Sequence, residues 1–571
     1  MPFTPEQPRF KGISLPPSGW VLAILLTIYI FIGLIGHDPW KHDDAISIGI
    51  AYDIVTNGHW LVPQLAGQVY IDAPLYYWVS ACTAHLFSWL LPFHDAARLA
   101  SGLFTLLALE FILLAARELY GRERATAAPL ILAGSIGFLF HAHEAQPMLA
   151  ALTAYTAAYW ALTLMPHRPG FATSILGFAL ALGFLANGLL PVLTLLPVMA
   201  LSIWLSPERA RCARHVALSV ITALLIVATW LVPLQILAPN HLSEFLQHEA
   251  AELTSSGQQL YDILRYLNTL LWYAWPALPL AAWALWSKRR FFATRPIALP
   301  AYSFLAVLLM LGLGVELKSS SALLLLPPLV LLAVPGVTSL RRGAANAFDW
   351  FGMMTFTFFA AVVWIAWAAM VFGWPERLSR QVVRLEPGFV GHFSLIAFVF
   401  SVAITAVWFW LIVTSPRSPM RGIMHWMAGL TLFWVLLAAL WMPWIDYGKS
   451  YRPVAESLTQ AMQADKRCVT SVNLQDSIRA SLNYFANIHT IPQSSASSRH
   501  CDWLLIHGEP RNEKKLSAAG WQQTWEGKRP GDRHRSTVFH LYRRQANSQC
   551  AEKSKRDEVT RADYSLKKCS R

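Results

Sequence analysis

The stretch HDPWKHDDAISIGIAYDIVTNGHWLVPQLAGQVYIDAPLYYW, residues 37–78, decides how this chain is read. It directly follows an apolar run and gathers Asp38, Asp43, Asp44, Asp53 and Asp72 with His37, His42 and His59. Asp43 and Asp44 stand together where a helix ends. Two adjacent, partly buried carboxylates cannot both ionise freely, so one tends to become a proton acceptor with a raised pKa. That suits a general base working on an acceptor hydroxyl or phosphate. A helix-capping aspartate in a solvated loop explains the same residues. His42 and Asp43 are weak candidates for a divalent metal, because no HxxxH or HExxH spacing accompanies them.

Outside this stretch the chain is strongly apolar. Of 571 residues, 55% are hydrophobic and 14% charged, with a mean hydropathy of +0.40. Soluble domains average about 45–50% apolar and about 25% charged. A chain made wholly of soluble domains is excluded, and so is a nucleic-acid-coating protein, despite the net charge of +13. The 25 Trp and 30 Phe fit a polytopic membrane protein with interfacial aromatic belts. Trp20, Trp40 and the Trp272-Tyr273-Ala274-Trp275-Pro276 string read as such anchors. Trp60 and Trp78 lie in the acidic stretch, where an aromatic face can meet a ligand.

A membrane helix needs about 20 mostly apolar residues. Such runs lie near 20–36, 98–116, 125–141, 147–164, 171–187, 188–204, 216–234, 269–286, 298–314, 322–336, 350–372, 391–413 and 423–444. The break at 187–188 also reads as a bend in one long helix. A further run, 74–92, either crosses or lies in the interface. Charge chooses, because cytoplasmic loops are rich in Lys and Arg. If 74–92 does not cross, basic clusters such as Arg117/Arg122/Arg124, Arg209/Arg211/Arg214, Lys288/Arg289/Arg290 and Arg341/Arg342 share one side. The other side keeps Lys41, Arg265, Lys318, Arg377, Arg380 and Arg384. The expected layout is therefore about 13 spans over residues 1–444, N-terminus inside, with a long first outer loop at 37–97. The early polar segment lacks a signal-peptide pattern, so the first span is expected to be retained.

From about 445 the composition turns polar. RCVTSVNL (467–474) and CDWLLIHGE (501–509) read as buried strands, SIRASLNYFA (477–486) as a helix and TVFHLYRR (537–544) as an edge strand. A small outer α/β domain at 445–545 follows, with a basic, disordered tail at 546–571. Cys468 and Cys501 flank predicted strands; a disulfide and two free thiols are both open.

Beyond these patterns, Asp43-Asp44, Asn57-Gly58-His59-Trp60-Leu61-Val62-Pro63, Gly67 and Tyr70-Ile71-Asp72-Ala73-Pro74-Leu75-Tyr76-Tyr77-Trp78 form a recognisable series. It resembles the first periplasmic loop of bacterial glycosyltransferases related to protein O-mannosyltransferases, most of all the aminoarabinose–lipid A transferases. Ala97-Arg98-Leu99-Ala100-Ser101 is similar to the start of that family's next span. The resemblance implies a GT-C fold, a bacterial inner-membrane location with a periplasm-facing site, and transfer of a sugar from a polyprenyl-phosphate carrier with inversion. The acceptor would be a lipid, glycan or protein, and membrane lipids surround the enzyme; metal dependence stays open. Asp43 would be the base or acceptor-orienting group, with Asp44 beside it and Asp72 in place of a glutamate. Asp72, Tyr76, Trp60, Glu144, Arg265 and Lys318 are the expected donor- or acceptor-binding residues. The chain departs from the family at Ala73 and Asn187, where lysines are usual, at Gln146, where an aspartate is usual, and near Ser47, where an arginine is usual. Altered specificity and lost activity both follow from such changes. A non-catalytic scaffold and a lipid or glycan flippase are the rivals, and Glu110, a mid-span carboxylate, is the residue a flippase would use.

Overall fold

The computed structural model describes residues 19–254, 259–314, 320–462, 468–493, 501–509, 516–517 and 520–544. The architecture is a helical bundle carrying a small sheet domain at one end. After α1 (Gly19–Phe31) the chain enters the acidic stretch and forms α2 (His42–Asn57), closed by Gly58 at φ +77°. A left-handed closing residue of this kind favours glycine. A two-residue hairpin, β1 (Gln64–Leu65) with β2 (Gln68–Val69), leads to α3 (Leu75–Phe87) and the long α4 (Phe93–Tyr120).

Among the described residues, eight helices are long and apolar enough to cross a membrane. A ninth is counted if Arg122–Ala133 and Ile136–Ala142, which meet at 67°, make one span. Four shorter apolar helices, Val21–Phe31, Met148–Leu164, Leu189–Trp204 and Ala277–Ser287, occupy the other predicted runs. By helix length alone eight or nine of the 13 expected runs qualify as spans, and the shorter helices occupy the rest. The physical reason is local: the 269–286 run is interrupted between Tyr273 and Ala277, and 125–141 bends near Gly134. Met148–Leu164 is almost wholly buried among its neighbours, so it packs against protein rather than lipid. At 187–188 there are two helices, separated by Gly188 at φ +60°. Segment 74–92 holds the 13-residue α3, which is too short to span; the exposed Leu86 lies in its last turn, and the exposed Trp89 and Leu90 follow it.

The C-terminal domain is a five-stranded sheet of β3 (Val469–Val472), β4 (Thr490–Pro492), β5 (Trp503–His507), β6 (Trp521–Gly527) and β7 (Phe539–Arg544). Their order is β4-β3-β5-β7-β6, parallel on one side and antiparallel on the other. The 537–544 segment was expected at the edge; β7 instead lies between β5 and β6. Its alternation reflects Phe539 and Leu541 pointing into a core with Val469, Leu482 and Leu505. The polar β6 takes the edge. Cys468 and Cys501 are joined by a disulfide.

The helix Asp476–Ala486 packs along α2. Gly49 permits this approach, since a Cβ there would lie 2.9 Å from the Cβ of Ala480. The ionic seam beside it holds Asp38, which accepts from Ser450 (2.6 Å) and from Arg452 Nε (3.0 Å). The backbone N–H of Asp38 donates to Asp446 (2.9 Å). Burial would raise the Asp38 carboxyl, but the bonds from Arg452 and Ser450 hold it below its usual range.

Candidate active site

Three consecutive residues of one turn bind the first turn of α2. Lys41 Nζ lies 3.0 Å from Glu144 Oε2. The backbone N–H of Ala145 donates to Asp44 Oδ1 at 2.7 Å. Gln146 Nε2 donates to Asp43 Oδ2 at 2.8 Å. The turn sits between the helices Ile136–Ala142 and Met148–Leu164, so the outer ends of the bundle fix the start of α2. Ser101 of α4 supports the turn by donating to the Glu144 carbonyl at 2.6 Å, and Tyr76 OH lies 2.7 Å from the same hydroxyl. Burial drives the Tyr76 phenol well above its ordinary pKa, so it acts as a neutral hydrogen-bonding group.

The two adjacent aspartates have different surroundings. Asp44 is buried and grips Arg98 in a fork: Nε to Oδ1 at 2.9 Å and Nη2 to Oδ2 at 2.8 Å. Burial pushes its pKa up, but the Arg98 charge and hydrogen bonds outweigh that and lower it to about 2. At Asp44 the expected raised pKa is therefore not found, because a fully buried guanidinium compensates the carboxylate. Arg98 is itself saturated, with Nη1 donating to Asp95 (3.1 Å) and to the His37 carbonyl (2.8 Å). Asp43 is half-buried, and its hydrogen-bond partner among the described residues is the neutral amide of Gln146. This leaves Asp43 as the more accessible carboxylate of the pair.

Glu144 joins two basic side chains, Lys41 and His141 (Nδ1 to Oε1, 2.8 Å). Burial would raise its pKa, while the His141 bond and the Lys41 charge hold it below the ordinary value. Asp72 is used structurally: it accepts from the Ala73 N–H (2.7 Å) and from the Tyr77 hydroxyl at the start of α3. Trp60 is 45% exposed, and its carbonyl accepts from the Trp78 indole at 2.6 Å. Asp53 pairs with His59 at 2.7 Å. Arg265 is exposed on the helix Gln259–Tyr273, and among the described residues no hydrogen bond or ion pair joins it to the Asp43 turn. Lys318 lies outside the described residues. His42 is exposed beside Asp43, and among the described residues no group of three His, Cys, Asp or Glu side chains converges on a metal position. Glu110 is exposed on the outer side of α4.

Thus the structure brings together Asp43, Asp44, Glu144 and Tyr76, places Asp72 and Trp60 on the neighbouring loop, and leaves Arg265 apart. Sequence reasoning passed over Arg98 as the counterion of Asp44 and Lys41 as the partner of Glu144. The signal for Arg98 was its charge at the start of an apolar run, where an unpaired guanidinium is costly.

No family model matches the chain. It is 28% identical over 288 residues to the undecaprenyl phosphate-aminoarabinose arabinosyl transferase 1 of Sodalis glossinidius, covering 47% of this chain and 50% of that protein. The corresponding transferase of Aeromonas salmonicida is 25% identical over 346 residues, covering 58% and 62%. The chain thus aligns with about half to three fifths of the length of these curated relatives. In fold the likeness is nearly complete. ArnT from Cupriavidus metallidurans bound to undecaprenyl phosphate superposes with a TM-score of 0.69 at 16% identity, covering 93% of this chain and 99% of that one. Its apo form gives 0.65 at 16% identity, covering 92% and 98%. The chain is a multi-span membrane protein with the GT-C fold of ArnT-like glycosyltransferases.

Proposed function

We propose that this protein is an integral membrane glycosyltransferase that moves a sugar from a polyprenyl-phosphate carrier to a lipid, glycan or protein acceptor on the periplasmic side of the bacterial inner membrane. The observation that carries this reading is the unequal pair: buried Asp44 neutralised by Arg98, and half-buried Asp43 held by the neutral amide of Gln146. The relatives named for transfer from undecaprenyl phosphate support the donor class. The Cys468–Cys501 disulfide supports an oxidising compartment for the C-terminal domain, in line with the basic loops lying on the opposite side.

In this mechanism an acceptor oxygen attacks the anomeric carbon as the bond to the carrier phosphate breaks. Asp43 orients the acceptor and accepts its proton, and the polyprenyl phosphate leaves with the electron pair of the broken bond. Arg98 keeps Asp44 ionised and fixes α2, so that Asp43 is presented in one orientation. The exposed position of Glu110, away from the bundle interior, disfavours a flippase path through the spans.

The test compares lipid-linked sugars and envelope glycans by mass spectrometry in wild type, a deletion strain and a strain carrying Asp43→Asn. A glycan lost from both altered strains while its polyprenyl-linked donor accumulates supports the reading, since removal of a general base costs about 10²–10⁴ in rate. Full restoration by Asp43→Asn refutes the role of Asp43 and favours a scaffold.

A further inference from the structure

A leaving polyprenyl phosphate needs a fixed cation beside the carboxylate that handles the acceptor. The charged groups around the first turn of α2 differ in whether they can serve. Arg98 has no exposed surface and spends its donors on Asp44, Asp95 and the His37 carbonyl. Arg452 is committed to Asp38 in the seam with the C-terminal domain. Lys41 differs from Arg98 in having a side chain that is 36% exposed. It differs from Arg452, which is exposed but holds both oxygens of Asp38, in standing two residues before Asp43 at the start of the same helix.

The Lys41 ammonium has three donors. One meets Glu144 Oε2 at 3.0 Å and one meets the Phe140 carbonyl at 3.3 Å. Among the described residues the third has no hydrogen-bond partner; the Trp40 ring lies 5.9 Å from the ammonium. Glu144 is only 8% exposed and is shared with His141, so it fixes the ammonium without covering it. Lys41–Glu144 and Asp43–Gln146 are parallel links between the same two segments. A cation and a carboxylate are thus presented side by side at one turn.

We propose that Lys41 is the phosphate-binding residue for the donor and that Glu144 is its positioning residue. The proposal rests on the glycosyltransferase reading above and adds the group that holds the carrier phosphate. As the bond to the sugar breaks, negative charge builds on the phosphate oxygens, and a preorganised ammonium stabilises it there. Lysine meets phosphate as a point charge, so arginine at this position would keep the charge.

The experiment measures binding of undecaprenyl phosphate to the full-length protein in detergent, for wild type, Lys41→Gln, Lys41→Arg and Glu144→Gln. A charge-assisted hydrogen bond is worth about 1.5–3 kcal/mol, so Lys41→Gln is expected to weaken binding about tenfold to a hundredfold. Lys41→Arg is expected to stay within about threefold of wild type. Glu144→Gln should give an intermediate loss, and the loss in Lys41→Gln should shrink as salt screens the wild-type contact. The unliganded melting temperature of each variant separates a lost contact from a lost fold. Wild-type affinity in a folded Lys41→Gln protein overturns the assignment of Lys41 while leaving the transferase reading intact. Failure of the wild-type protein to bind undecaprenyl phosphate overturns both.

Discussion

Replacing Arg98 by leucine tests the electrostatic frame of the site most directly. The guanidinium is fully buried and faces two carboxylates, Asp44 and Asp95, that are 1–2% exposed. Removing one partner of a buried ion pair costs about 3–5 kcal/mol, because the other charge is left uncompensated. The titration of Asp44 gives an independent measure. Its pKa falls from 3.8 to about 2 on folding, which at 1.36 kcal/mol for each pH unit is worth about 2 kcal/mol. A carboxylate depressed on folding contributes its full stability above its unfolded pKa and loses it as pH falls through the folded one. Wild type should therefore lose about 2 kcal/mol between about pH 4 and pH 2 from this group, and Asp44→Asn should flatten that limb. The assay is reversible unfolding of the full-length protein in detergent, followed by helix signal. Arg98→Leu is expected to lose about 3–5 kcal/mol at neutral pH. Arg98→Leu with Asp44→Leu should regain part of the loss, since the stranded Asp44 charge is gone while Asp95 still lacks its partner. A single variant costing less than about 1 kcal/mol, or a double variant no more stable than the single, would refute the argument.

Three other outcomes follow from the same geometry. Gln146→Leu removes the amide that orients Asp43; a neutral hydrogen bond is worth about 1 kcal/mol, so transfer should slow about fivefold with donor KM unchanged, read by steady-state kinetics. Gly188→Ala places a Cβ about 2.1 Å from the Glu249 carboxylate oxygens at φ +60° and should displace Glu249 from the Leu189 N–H, which it now meets at 2.6 Å. A loss of at least about 1 kcal/mol is expected, visible in the melting temperature and in protease sensitivity of the 239–254 helix. Reducing the Cys468–Cys501 bond opens a link across 33 residues, a constraint worth about 3–4 kcal/mol on chain-entropy grounds. Reductant should lower the unfolding midpoint of the C-terminal domain while leaving the bundle's transition in place.

Much of this protein was legible in its sequence because the relevant physics is local. Apolar runs and the polar turn at about 445 reveal membrane helices and a separate polar C-terminal region, since hydrocarbon accepts only residues that hide their polar groups. The acidic stretch at 37–78 supplied the candidate site, and its resemblance to known transferase loops agrees with the fold found. What the sequence left open depends on long-range pairing. Asp43 and Asp44 are neighbours of the same type, and only the packing of α4 and of the turn before Met148–Leu164 against α2 gives one of them a buried guanidinium and the other a neutral amide. The same turn brings Glu144, about a hundred residues away in the chain, to Lys41. Strand β7 looked like an edge because its exposure depends on a β6 partner that its own residues do not specify. Helix lengths likewise depended on where neighbours let a run bend or stop, as at Gly134 and Gly188. Sequence alone therefore determined which segments are apolar enough for the membrane region and where the acidic candidate residues gather. Tertiary structure decided which charged group at that site is neutralised and which stays available, because electrostatic energy depends on distances that only the folded chain defines.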